Sequence, residues 1–213
     1  MKDKKLLLWV IPFVNQLKPI TDLEKKYATN LSNKRAEEYA FSRGHMRDVL
    51  SKIFGMRPLD IPLESLPGKP PILKEGLGNI SMSHCKDALL IGWSIRKIGV
   101  DIERSDRQFN FRNISEKYFF NDEKKELKKL SEEKLRLSIL NLWVLKEASI
   151  KWQEGSIIPD LSLWKINKNY TSAYHQSLNL SINTFCLKKN SWVLGVAYDS
   201  RGINYKDITL KFY

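Results

Sequence analysis

Two carboxylates one residue apart, and a third one helical turn from a lysine, are the groups of this chain whose types and spacing promise chemistry. In Gly99-Val100-Asp101-Ile102-Glu103 a strand would turn Asp101 and Glu103 to one face and Val100 and Ile102 into a core, because strand side chains alternate with a period of two. In Trp143-Val144-Leu145-Lys146-Glu147-Ala148-Ser149-Ile150-Lys151 a helix would set Glu147 and Lys151 on one side, four residues apart. Three acidic oxygen donors around one point repel each other unless a hard cation lies between them. Magnesium suits such a set, since it favours oxygen ligands, keeps some of its waters and bridges to substrate phosphates. The plainer alternative is an internal Glu147–Lys151 ion pair at helical spacing.

Periodicity and punctuation indicate the elements that must position these groups. Lys5 to Phe13, rich in Leu, Val and Ile, predicts an opening strand. Thr21 and Glu24 have capping-box spacing, so a short helix starts near Asp22. A long helix is predicted from Ser32 to Phe54, with an apolar stripe through Ala36, Tyr39, Ala40, Met46, Val49, Leu50, Ile53 and Phe54, and Gly55 ends it. Arg43 falls within that stripe, one turn before Arg47. An arginine there either snorkels to solvent or meets an anion at the edge of the core.

From Arg57 to Gly78 five prolines and three glycines predict an irregular connection, in which Gly68-Lys69-Pro70 is a turn that holds one lysine on rigid backbone. Asn79 to Ser83, Ala88 to Ile95 and Ile98 to Glu103 read as a meander of three strands, with Ser83 and His84 at the end of the first. Short helices are expected from Phe109 to Phe120 and from Asn121 to near Leu130, the latter with Asp122 and Glu123 in its first turn. Ser131 opens a second long helix, to about Trp152, that is apolar on nearly every side between Leu135 and Ile150 and therefore belongs at a buried centre. Lys146, Glu147 and Lys151 interrupt it, and a buried helix tolerates such charges only when they are paired or bound to an ion. Gly155 closes this helix, and strands follow at Leu161 to Ile166, Ser181 to Leu187, Trp192 to Tyr198 and Tyr205 to Phe212.

Each half thus holds one long helix and a set of short strands. The fold class expected is α+β, two comparable lobes over residues 1–100 and 101–213, each a long helix packed on a small, mostly antiparallel sheet. Their boundary near Asp101 puts the carboxylates at the seam, where ligand clefts are common.

With 213 residues, 42% hydrophobic and 28% charged, the chain can bury a genuine core. Its 36 Lys and Arg against 24 Asp and Glu give a net charge of +12, which favours an anionic partner without choosing among nucleic acid, phosphorylated cofactor, acidic protein and membrane surface. Many of these lysines, Lys124-Lys125 and Lys128-Lys129 among them, simply solvate a helix face in the plainer reading. Cys85 and Cys186 are the only cysteines, too few for a disulfide framework or zinc site, and are expected as free thiols. Met1 to Trp9 imitates a signal peptide but reaches Pro12 with no small-residue cleavage pattern, so it reads as the first strand of a cytoplasmic protein. No run approaches the ~20 apolar residues of a membrane span.

Ser83-His84, Gly99-Val100-Asp101-Ile102-Glu103, Phe119-Phe120-Asn121-Asp122-Glu123 and Trp143 to Lys151, in that order, resemble the signature series of the Sfp-type 4'-phosphopantetheinyl transferases. The Gly68-Lys69-Pro70 turn and the helix carrying Arg43 fit the same series. Each motif alone is weak, but the ordered set across nearly the whole chain is specific. The resemblance implies a pseudo-dimeric α+β fold with coenzyme A and magnesium in the cleft between lobes. It also implies the holo-[acyl-carrier-protein] synthase reaction, transfer of phosphopantetheine from coenzyme A to a serine of an apo carrier protein with release of 3',5'-adenosine diphosphate. Carried over by position, Asp101, Glu103 and Glu147 are magnesium ligands. Glu147 takes the proton of the incoming serine, directly or through a water. Lys151 contacts the pyrophosphate, and Arg43, Lys69, Ser83 and His84 hold the phosphates and nucleotide. The segment from Ser32 to Arg43 is shorter than its family counterpart, so Lys34 and Arg35 are only candidates for the basic residues upstream of Arg43, and Cys85 stands where serine is frequent.

Two other functions compete. A basic nucleic-acid-binding module would use the charge and the 11% aromatic content, but the cations are not interleaved with aromatics on one evident face. A magnesium-dependent phosphohydrolase or nuclease would use the same three carboxylates and activate water instead of a serine. The transferase reading expects a monomer whose partner is an acidic acyl or peptidyl carrier, with no nucleic acid and no membrane.

Overall fold

The structure is a computed structural model that describes residues 5–199 and 207–213. Strand β1 (Leu6–Pro12) leads through an irregular segment to α1 (Asp22–Ala28), whose N-terminus is the expected capping box of Thr21 and Glu24. Helix α2 (Asn33–Phe54) follows, closed by Gly55 in a left-handed conformation. A 3-10 turn at Pro58–Asp60 and the short ribbon β2 (Leu63–Glu64) with β3 (Ile72–Leu73) occupy the proline-rich connection. Then come β4 (Asn79–His84), β5 (Ala88–Ser94), β6 (Ile98–Arg104), α3 (Phe111–Tyr118), α4 (Asn121–Leu127) and α5 (Glu132–Gln153). The chain ends with α6 (Ile157–Asp160), β7 (Trp164–Ile166), β8 (Ser172–His175), β9 (Leu180–Lys189), β10 (Trp192–Tyr198) and β11 (Ile208–Phe212). Tyr205 and Lys206, at the start of the last expected strand, lie outside the described residues.

Two main sheets form, ordered β11-β1-β5-β4 and β6-β10-β9-β8-β7. The expected three-strand meander is therefore corrected. β4 and β5 pair antiparallel, but β6 turns away and pairs with β10, Val100 opposite Val196 and Asp101 opposite Gly195. Hydrophobic alternation marks a strand but not its partner.

The period-two rule explains the layering. Leu6, Leu8 and Val10 of β1 face Val100, Ile102, Leu194 and Val196 across the space between the sheets. Trp9 and Ile11, on the opposite face of β1, join Met46, Val49 and Leu50 of α2. On the far side of the second sheet, Leu142, Leu145 and Ala148 of α5 pack with Ile166, Ile182 and other residues of β7 to β10. Each long helix thus covers the outer face of one sheet.

Where the two sheets meet, β4 and β6 share no backbone ladder. Ser81 Oγ instead accepts the Val100 N–H at 3.1 Å, satisfying a buried donor that would otherwise be orphaned. Among the described residues no helix is long and apolar enough to cross a membrane.

Candidate active site

Asp101 points from β6 toward α5, on the face opposite Val100 and Ile102, and is 2% exposed. The close approach of α5 depends on Gly99. A Cβ at that position would lie 2.0 Å from the Ala148 carbonyl oxygen and 2.4 Å from the Trp152 nitrogen, so only glycine lets the helix backbone come this near. From that distance Lys151 Nζ reaches Asp101 Oδ1 at 2.6 Å and Ser83 Oγ at 2.8 Å, and Ser83 Oγ donates to the same Asp101 oxygen at 2.6 Å. Lys151 Nζ is 3.9 Å from Glu147 Oε2. The helical Glu147–Lys151 pair is thus the weaker contact, and the lysine's main partner comes from β6.

The remaining carboxylates, Glu103 and Glu147, are shifted by burial and by the charge of Asp101. Burial, reinforced by the charge of Asp101, pushes the Glu103 carboxyl up to about 7, and burial with the same neighbour pushes Glu147 up to about 7. Arg107, four residues on, pairs with Glu103. Asp101 Oδ2 is buried and accepts no hydrogen bond among the described residues, a costly condition for a carboxylate oxygen.

Hard oxygen donors, mutual repulsion and an orphaned oxygen are the chemistry a magnesium ion satisfies. As the chain stands, Lys151 sits on Asp101 and Arg107 on Glu103, and among the described residues no three acidic, histidine or cysteine side chains converge closely enough to enclose a metal.

Beside this cluster lies a cavity of about 1310 Å³ whose wall includes Arg43, Lys69, His84 and Lys151, together with Arg35. Arg43 and Arg47, neighbours on α2, are both buried but have opposite surroundings. Arg47 forks onto Glu24, Nε to Oε2 at 2.8 Å and Nη2 to Oε1 at 3.0 Å. Among the described residues Arg43 meets only neutral acceptors: the Ser65 carbonyl at 3.3 Å, Ser42 Oγ at 3.1 Å, Met82 Sδ at 3.1 Å and, at 3.5 Å, the Leu66 carbonyl. It also stacks over the Tyr39 ring at 4.5 Å. Burial lowers its pKa. Arg43 neither snorkels nor pairs with a carboxylate, and it forms part of the wall of a cavity. A buried guanidinium so placed is suited to an anionic ligand.

Lys69 is held by the turn the sequence indicated, with Gly68 at φ 72° and the Lys69 N–H bonded to the Leu66 carbonyl at 3.2 Å. Lys34, the other candidate, points instead to Glu38 at 3.9 Å. His84 is exposed at the cavity, its ring 6.2 Å from that of Phe13.

The partner of Lys146, whose need for one the sequence indicated, was not legible in the sequence. Lys146, fully buried, gives its ammonium to Glu123 Oε2 at 3.0 Å and to the Trp164 carbonyl, between the rings of Phe119 and Phe120. Glu123 in turn accepts the Ile166 N–H at 2.8 Å and the Phe120 N–H at 2.8 Å. Burial lowers the pKa of Lys146 against the pull of Glu123. This pair locks α4 and β7 onto α5 one residue from Glu147; the signal was the lysine inside an apolar helix, whose partner lies 23 residues earlier in the chain.

No curated protein matches the chain. Residues 97–197 match the family model of the 4'-phosphopantetheinyl transferase superfamily, a stretch that takes in Asp101, Glu103, Glu147 and Lys151 and points to phosphopantetheinyl transfer in general terms.

Proposed function

We propose that the chain is an Sfp-type enzyme that transfers 4'-phosphopantetheine from coenzyme A to a serine of an apo acyl or peptidyl carrier protein, acting as a cytoplasmic monomer of two similar lobes. The observation that carries this reading is Asp101: a buried carboxylate with one oxygen tied to Lys151 and Ser83 and the other unpartnered among the described residues, next to two carboxyls of raised pKa and a cavity whose wall includes Arg43, Lys69 and Lys151.

Arg43, Lys69, Ser83 and His84 would hold the phosphates and nucleotide of coenzyme A, and Lys151 the pyrophosphate. Asp101, Glu103 and Glu147 would hold magnesium once Lys151 and Arg107 are drawn off the carboxylates they now occupy, and the ion would neutralise charge on the transferred group and the leaving oxygen. The carrier's serine oxygen bonds to the phosphorus that bears the pantetheine arm. The bond from that phosphorus to the bridging oxygen breaks, and 3',5'-adenosine diphosphate leaves with the electron pair. The serine proton goes to a Glu147 carboxylate oxygen, directly or through a water, a role open to a carboxylate within hydrogen-bond reach of the hydroxyl. Catalysis here is chiefly positioning and charge neutralisation. The net charge of +12 favours encounter with an acidic carrier, an effect that weakens as salt rises.

Product analysis tests the reading. Coenzyme A consumed only when an apo carrier is present supports transfer. Coenzyme A or nucleic acid cut with no carrier present would make water the acceptor and the protein a hydrolase.

A further inference from the structure

Between β4 and β5 the chain turns through Asp87, whose carboxylate reaches into the other sheet. Its Oδ1 accepts the Trp192 indole N–H at 3.0 Å and the Cys85 thiol at 3.4 Å, and its Oδ2 accepts from Arg104 Nη1. Its backbone carbonyl accepts the Phe13 N–H at 2.9 Å. Arg104 and Trp192 are themselves directly opposite each other, the last residue of β6 and the first of β10. Arg104 is steadied from its other side by Asp106, at 2.6 Å from both Nε and Nη2.

The location matters more than the number of bonds. Asp87 comes three residues after His84, and Arg104 immediately follows Glu103. A single side chain therefore ties the end of β4 that carries Ser83 and His84 to the end of β6 that carries Asp101 and Glu103. The Asp87 side chain is 38% exposed, so it is not a core-filling residue. Ser83 and Asp101 meet across the same junction, and the junction has no ladder to fix its register.

We propose that Asp87 is a positioning residue: by latching the Ser83–His84 end of β4 onto Arg104 and Trp192, it sets the span between the groups that hold coenzyme A and the carboxylates that act on it. This rests on the transferase reading given above.

The test compares wild type with Asp87→Asn, Arg104→Gln and the double variant in carrier modification, coenzyme A titration and amide exchange. Asp87→Asn keeps the size and an acceptor for Trp192 but removes the charge that meets Arg104. Each single variant should lower kcat roughly ten- to a hundredfold while KM for coenzyme A moves by less than about threefold, because orientation rather than binding is lost. The double variant should be no worse than the weaker single, since both remove one latch, and Asp87→Glu should recover part of the loss. Amide exchange over residues 83–88 should quicken in Asp87→Asn. Wild-type kcat in Asp87→Asn, additive losses in the double variant, or unchanged exchange over 83–88 would each overturn the latch. A wild-type protein inactive with every carrier would overturn the transferase reading and the positioning role with it; an active wild type with an unaffected Asp87→Asn would overturn the latch alone.

Discussion

Lys151 Nζ lies 2.6 Å from Asp101 Oδ1 and 3.9 Å from Glu147 Oε2, so the lysine of α5 binds the carboxylate of β6 in preference to the one a turn away on its own helix. The helix and strand are thereby joined at the point where the proposed chemistry occurs. Asp101→Asn removes the charge at the centre of this junction while keeping its shape. It is expected to stay folded and to lose transfer by at least about a hundredfold. Magnesium should raise the melting temperature of wild type by binding the folded state and should raise that of Asp101→Asn much less. An equal magnesium response in the two proteins would count against Asp101 as a ligand.

Arg43 and Arg47 make a paired comparison. Arg47→Met strands the buried Glu24 carboxylate, a loss of about 3–5 kcal/mol in stability. Arg43→Met strands no acid, so its melting temperature should fall less. Coenzyme A binding should instead weaken by about tenfold or more, as expected for a lost charge-assisted contact. Calorimetric titration decides it: undiminished affinity in Arg43→Met would remove Arg43 from the ligand site.

Gly99→Ala would place a methyl group where the Ala148 carbonyl now sits. Helix α5 must back away from β6, at about 1–3 kcal/mol in stability, and Lys151 retreats from Asp101 with it. Transfer by the folded fraction should fall more than stability alone explains. A variant as active as wild type would mean that the Lys151–Asp101 contact is dispensable.

His45 gives a pH dependence far from the carboxylates. Its Nε2 lies 3.1 Å from the Gln16 carbonyl, its ring packs at a tilt against Phe41, and Lys18, Asp48 and Lys52 are the charged groups around it. Burial holds its pKa below 6.5. A lowered pKa means the unfolded chain binds the proton more readily, so this contribution to stability is full above about 6.5 and is lost as pH falls below it. Melting temperature should therefore drop more steeply between pH 7 and 5 in wild type than in His45→Gln; equal slopes would contradict the assignment.

How far the sequence revealed this arrangement depended on the range of each interaction. Thr21 with Glu24, Gly55 after α2 and the charges inside α5 are local signals, and they located three helices closely. Val100 and Ile102 in the core with Asp101 and Glu103 on the opposite face followed from strand alternation alone. Partners distant in the chain were not legible. Nothing local says that β6 pairs with β10, that Lys151 prefers Asp101 to Glu147, or that Arg47 has an acid where Arg43 has none. The short α6 and the polar strand β8, Ser172–His175, passed unnoticed because neither carries a periodic apolar pattern. The C-cap of α5 fell on Glu154 in the left-handed region rather than on Gly155 beside it.

The most direct measurement is the intact mass of a panel of apo carrier proteins after incubation with the chain, coenzyme A and magnesium. At least one carrier should gain the mass of one phosphopantetheine on a serine, with 3',5'-adenosine diphosphate as the second product and no gain when Asp101→Asn replaces wild type. Carriers that all keep their apo mass while the wild-type protein binds or cuts nucleic acid would contradict the account.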